Sequence, residues 1–180
     1  MTEGGPSRNH AEPRANLAIE VVRHGSAWED NKVTDALVER AAQAAFAVAI
    51  PQDQAAYDAT IVLTDDAEMA ELNRTWRGKD APTNVLSFPA GDAPGEPGPL
   101  GDIVIAFETT RREADDENIA FADHVSHLVV HGVLHLLGLD HMQDDEAERM
   151  EALETRALAS IGIADPYERE PETSVAQVAP

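Results

Sequence analysis

Residues 121–141 read FADHVSHLVVHGVLHLLGLDH. From Phe121 to Leu137 the stretch is apolar enough for a buried helix, and histidines are set into it at helical spacing. At 3.6 residues per turn, side chains four apart are offset by about 40°. His131 and His135 therefore project from one face, a turn apart, and can share a metal ion. Gly138 stops the helix, because glycine accepts the positive φ of a left-handed turn. Three residues on, His141 can return to the same ion from another direction. Three protein nitrogens leave one tetrahedral position open, which is the pattern of a catalytic rather than a structural zinc, and a water held there is acidified toward neutrality. Five of the seven histidines, His124, His127, His131, His135 and His141, fall in this stretch. A core histidine bonded to a carbonyl explains one such residue well and explains three poorly. His127 is read as orienting a ligand, facing substrate or simply packing. His124 is expected to face solvent near the helix start. Asp140 either orients a ligand imidazole or shapes the turn.

Working outward, residues 17–22 and 59–63 read as apolar, partly β-branched strands. Between them, Thr34 or Asp35 caps a helix running to about residue 48. Thr64 or Asp65 caps another, with Met69, Leu72 and Trp76 on one face, a stripe that assigns Trp76 to the core rather than to stacking on a base. A strand over residues 84–88 ends at Pro89. A loop rich in glycine and proline follows, and a strand over residues 101–107 is placed to pair with its predecessor as a hairpin. A short exposed helix is expected within residues 108–118. A final amphipathic helix spans residues 144–161, with Ala147, Met150, Leu153, Ala157 and Ile161 as its buried stripe. The fold class is α+β: a small mixed sheet packed with about five helices, a central buried one carrying the histidines. Residues 1–16 are expected to be a disordered arm, 17–162 a single hydrolase domain and 163–180 a flexible tail.

The chain has 180 residues, 43% hydrophobic and 26% charged, ordinary for one globular domain. Aromatics are only 4%, so Ala, Leu, Val and Ile must build the core. The absence of cysteine removes disulfides, thiolate nucleophiles and thiolate ligands together. It fits a cytoplasmic protein, as does an N-terminal stretch without the apolar segment of a secretory signal. No apolar run approaches the length of a membrane span. A formal charge of −21 argues against binding nucleic acid over a broad basic surface.

The spacing of His131, His135, Gly138 and His141 is also that of the metzincin peptidases. Those enzymes need a glutamate directly after the first histidine as general base, and here that residue is Gly132. Phosphodiester cleavage tolerates the absence better, because the metal can neutralise charge on phosphoryl oxygens. Such a site needs a cation for the phosphate. Arg74, Arg77 and Lys79 supply three of the chain's 13 basic residues within six positions, and Asn84 and Ser87 add polar contacts. Two rivals stand beside the phosphodiesterase. A metallopeptidase would recruit Asp102 or Glu108 in place of the missing glutamate. A metal-stabilised ribosome-assembly factor would do no chemistry at all.

The segment HGVLHLLGLDH at 131–141 resembles a signature of the YbeY family, and LNRTWRGKDAPTNVLSFP at 72–89 resembles its second block. The strand LGDIVI at 100–105 fits as well, and the similarity runs in order over residues 17–162. Leu139 stands where an aromatic is common. The resemblance implies a single-strand-directed endoribonuclease of ribosomal RNA maturation and ribosome quality control. It places a metal, taken as one zinc per chain, on His131, His135 and His141; nickel, copper and cobalt accept the same ligands. It assigns the family's functional arginine to Arg77, with Lys79, Asn84 and Ser87 beside it as substrate contacts. It implies as partners single-stranded ribosomal RNA, the small ribosomal subunit and an assembly GTPase. Because the surface is so acidic, the RNA is expected to be presented by a ribosome or partner.

Overall fold

A computed structural model describes residues 16–29, 31–50, 55–91, 95–140 and 144–168. In chain order the elements are β1 (Asn16–Arg23), α1 (Asp35–Ala49), β2 (Ala56–Thr64), α2 (Asp66–Arg77), β3 (Val85–Pro89), β4 (Gly98–Ala106), α3 (Phe107–Asp116), α4 (Phe121–Leu136) and α5 (Asp144–Ser160). The expected caps form. The Thr34 side chain accepts from the Leu37 amide, and that of Asp65 from the Glu68 amide.

The four strands form one mixed sheet in the order β1-β2-β4-β3. β1, β2 and β4 are parallel, and β3 returns antiparallel along β4 as the anticipated hairpin. Side chains alternate across the sheet. Ala59, Ile61, Leu63, Ile103 and Ile105 face the large core beneath α1, α4 and α5. Val62, Leu86, Phe88, Val104 and Ala106 face the other way, against Met69 and Leu72 of α2.

α4 is the central helix. Val125, Val129, Val130, Val133, Leu134 and Leu136 are wholly buried, and each such side chain contributes about 1.5–3 kcal/mol on leaving water. Its start is seated by an aromatic trio: Trp28 stacks on Phe121 and meets Phe107 edge-on, while its indole donates to the Thr64 carbonyl. Its end is a Schellman turn. The Leu139 amide donates to the Leu134 carbonyl, that of Gly138 to His135, and Gly138 has φ +86°.

Two expectations about the helices need correction. Trp76 is not core: the stripe on α2 runs past the edge strand, and the indole is 68% exposed. The helix after β4 is not simply exposed. Thr109, Thr110 and Ala114 of α3 are buried, and Asp66 and Glu108 cap the starts of α3 and α2 reciprocally. Beyond α5, Ile163 packs on the core and Tyr167 is hydrogen-bonded to Glu154. Residues 1–15 and 169–180, most of the two proposed extensions, lie outside the described residues. No single helix among the described residues is long and apolar enough to cross a membrane.

Candidate metal centre

The helical offset does what the spacing implied. The rings of His131 and His135 meet at 80° with centroids 4.5 Å apart, and their Nε2 atoms are 3.0 Å apart. The other nitrogen of each ring is already assigned. His135 Nδ1 lies 2.9 Å from the Leu139 carbonyl. A carbonyl only accepts, so His135 carries its proton on Nδ1 and Nε2 is an acceptor. His131 Nδ1 lies 2.6 Å from Glu154 Oε1. A carboxylate likewise accepts, which makes His131 Nε2 the second acceptor. Two imidazole acceptors aimed at one point repel unless a proton or a metal ion stands between them. Two nitrogens on one tetrahedral zinc, at about 2.05 Å each, would be about 3.3 Å apart, close to the separation seen. The donor set therefore fits a metal. His141, the third expected ligand, lies outside the described residues, and among the described residues no three His, Cys, Asp or Glu side chains form a metal-sized group.

Glu154 was not anticipated. It sits on α5 with 1% of its surface exposed. Besides His131, its carboxylate accepts from His127 Nε2 at 3.0 Å and from the Tyr167 hydroxyl. Burial alone would raise its pKa. The hydrogen bonds from His127, His131 and Tyr167 outweigh that and hold the group at about 2, a carboxylate at any working pH. Burial and the adjacent Glu154 charge push the Tyr167 phenol far above its ordinary range, so it remains a donor. One signal for Glu154 was present in the sequence: it interrupts the apolar stripe of α5 between Met150 and Ala157. His127, left open between three roles, bonds to the same carboxylate as His131.

Gly132 is pressed against the sheet. A Cβ there would lie 2.8 Å from Ile103 Cγ2 and 2.9 Å from Ile103 Cδ1. A glutamate at the position where the metzincins carry their base would be driven into β4. The alternative base Glu108 is committed to the start of α2, accepting from the Asp66 amide at 2.8 Å. No side-chain bond among the described residues joins Asp102 to the histidines.

The remaining site residues are brought together only in part. Ser87 Oγ is 3.5 Å from the Gly132 carbonyl, so β3 lies alongside the first ligand. Asn84 is taken up locally: its Nδ2 donates to Glu113 Oε2 at 2.9 Å and its Oδ1 accepts from the Val85 amide. The same Glu113 oxygen meets His124 Nε2 at 2.9 Å. His124 is only 6% exposed, which corrects its expected solvent position; α3 covers it. Arg77 and Lys79 are exposed at the end of α2, across the sheet from α4. Arg74 pairs with Glu71 and Asp80. Trp76 lies between them and the edge strand, its ring against Phe88.

A family model described as Endoribonuclease YbeY matches residues 25–162. The chain belongs to the YbeY family. It is 51% identical to Endoribonuclease YbeY of Parvibaculum lavamentivorans, covering 92% of this chain and 95% of that one. Identity with the namesake of Bradyrhizobium diazoefficiens is also 51%, over 86% and 87%. With that of Paramagnetospirillum magneticum it is 61%, over 60% and 70%. The fold is shared with the solution structure of TM1509 from Thermotoga maritima, at a TM-score of 0.53 and 24% identity over 84% of this chain and 99% of that one. YbeY proteins are RNA-cleaving hydrolases involved in ribosomal RNA processing, and the resemblance to this family is thereby borne out.

Proposed function

We propose that this YbeY protein is a single-strand-directed, metal-dependent endoribonuclease of small-subunit ribosomal RNA maturation and ribosome quality control, working in the cytoplasm. The observation that carries the metal dependence is the pair of acceptor nitrogens, His131 Nε2 and His135 Nε2, converging at 3.0 Å with both Nδ1 atoms committed elsewhere. His131, His135 and His141 would hold the ion, with zinc the best match to three imidazoles. When bound, zinc supplies Lewis acidity and a water acidified to near neutrality.

The chain's own residues do the rest. Glu154 and the Leu139 carbonyl hold the two rings in place. Arg77 places a guanidinium, which binds phosphate oxygens in pairs, and Lys79 adds a second charge. Trp76 offers an exposed ring face to an unpaired base, which a duplex cannot present. Ser87 adds a hydroxyl beside the helix of the histidines, 3.5 Å from the Gly132 carbonyl. With a net charge of −21 the protein steers free RNA poorly, so the substrate is ribosomal RNA held in a small subunit or presented by an assembly GTPase.

The test is metal content and cleavage of a single-stranded ribosomal RNA fragment on one preparation, for wild type and His135→Ala, with a peptide substrate alongside. About one metal per chain and RNA cleavage, both lost in the variant, support the reading. RNA left intact by protein that holds its metal defeats it.

A further inference from the structure

We infer that Glu154 is the positioning residue of the metal centre: it fixes His131 as the Nδ1-protonated tautomer and so turns Nε2 toward the ion. The inference rests on the metal-binding reading above and concerns which residue makes that site competent.

An isolated neutral imidazole exchanges its proton between two nitrogens, and only the form with a bare Nε2 can ligate through that atom. His135 is fixed by its own helix end, through the Leu139 carbonyl. His131 has no such local acceptor. Its Nδ1 is met by a carboxylate that arrives from α5, 23 residues away, at 2.6 Å. That carboxylate is itself held in place. Its second oxygen accepts from His127 Nε2 and from the Tyr167 hydroxyl, and α5 seats it between Met150 and Leu158 in the core. A charge so deeply buried is costly, and here the three donors around it offset the cost. Its geometry serves the ligand. The arrangement also joins the segment after α5 to the site, because Tyr167 completes the set of donors.

The experiment uses the full-length chain, stripped of metal, as wild type, Glu154→Leu and Glu154→Gln. Long-range nitrogen–proton NMR reads the tautomer of His131, and competition with a chromogenic chelator reads zinc affinity. Wild type should show His131 protonated at Nδ1. Glu154→Leu should lose that preference and bind zinc about 10–100-fold more weakly, with a lower unfolding midpoint because three donors lose their shared acceptor. Glu154→Gln keeps an acceptor oxygen but adds a donor, and should fall between the two. Wild type protonated at Nε2, or Glu154→Leu with unchanged tautomer and unchanged zinc affinity, overturns the inference alone. Should Glu154→Leu fail to fold, the wild-type tautomer and the Gln variant decide it. Wild type that binds no zinc overturns the metal reading and this inference with it.

Discussion

The Nε2 atoms of His131 and His135 stand 3.0 Å apart, while the Nδ1 atoms of the same rings are tied to Glu154 and to the Leu139 carbonyl. A pair of acceptors so placed is under repulsion that a cation relieves. Zinc added to the metal-free protein should therefore raise its melting temperature. A thousandfold excess over Kd is worth about 4 kcal/mol, or on the order of 10 °C for a domain of this size. His135→Ala should abolish the rise. An equal shift in the variant would place the metal elsewhere.

Arg77 and Trp76 are exposed at the end of α2, on the far side of the sheet from the core that holds α4. Neither supports the fold by much. Arg77→Ala should remove RNA cleavage while leaving zinc content and melting temperature unchanged. Trp76→Ala should raise KM for single-stranded RNA by roughly 5–150-fold, the equivalent of about 1–3 kcal/mol for one lost base stack. Trp76→Phe should restore most of it. Kinetics indistinguishable from wild type for Trp76→Ala would remove the base-stacking role.

Ile103 and Gly132 touch with no space for a methyl group between them. Gly132→Ala should cost about 1–3 kcal/mol by overpacking, measured by urea denaturation. Ile103→Val removes one of the crowding atoms, Cδ1, so the double variant should be more stable than the sum of the two single changes implies. Strict additivity would mean that the crowding is relieved elsewhere.

Glu68 titrates below the usual range for a glutamate. The Thr64 hydroxyl donates to it, burial opposes that, and His24 adds a further bond at 2.8 Å. A carboxyl whose folded pKa is depressed stabilises above its unfolded value and loses that contribution as pH falls through the folded one. Relative to Thr64→Val, wild type should therefore be favoured above about pH 4.5, with the advantage fading in more acidic solution. Carbon NMR of the Glu68 carboxyl should show its pKa rising in the variant. A pKa that does not move would assign the depression to His24.

How much of this was legible follows from the range of each contact. The facing of His131 and His135, the stop at Gly138 and the caps at Thr34 and Asp65 are decided within one or two turns of chain, and the local pattern carries them. Trp76 misled because Met69, Leu72 and Trp76 share a face, yet α2 outruns the sheet beneath it: Met69 is fully buried and Trp76 is not. His124 misled because helix starts are ordinarily wet; here Glu113 of α3 closes over it. Glu154 showed only as a break in the apolar stripe of α5, and the partners of Glu154 and Tyr167 were beyond reach of spacing. They meet His127 and His131 only because α5 folds back along α4, and no local period encodes that return.

The contact between Gly132 and Ile103 also bears on descent. A chain with this helix already holds the histidine spacing of a peptidase, and a codon change or two would bring the missing acid after His131. The seam opposes it: a side chain at that position must first displace the Ile103 Cγ2 and Cδ1 atoms. Close packing of helix on strand thus makes the peptidase's acid costly here, whatever reaction the site performs.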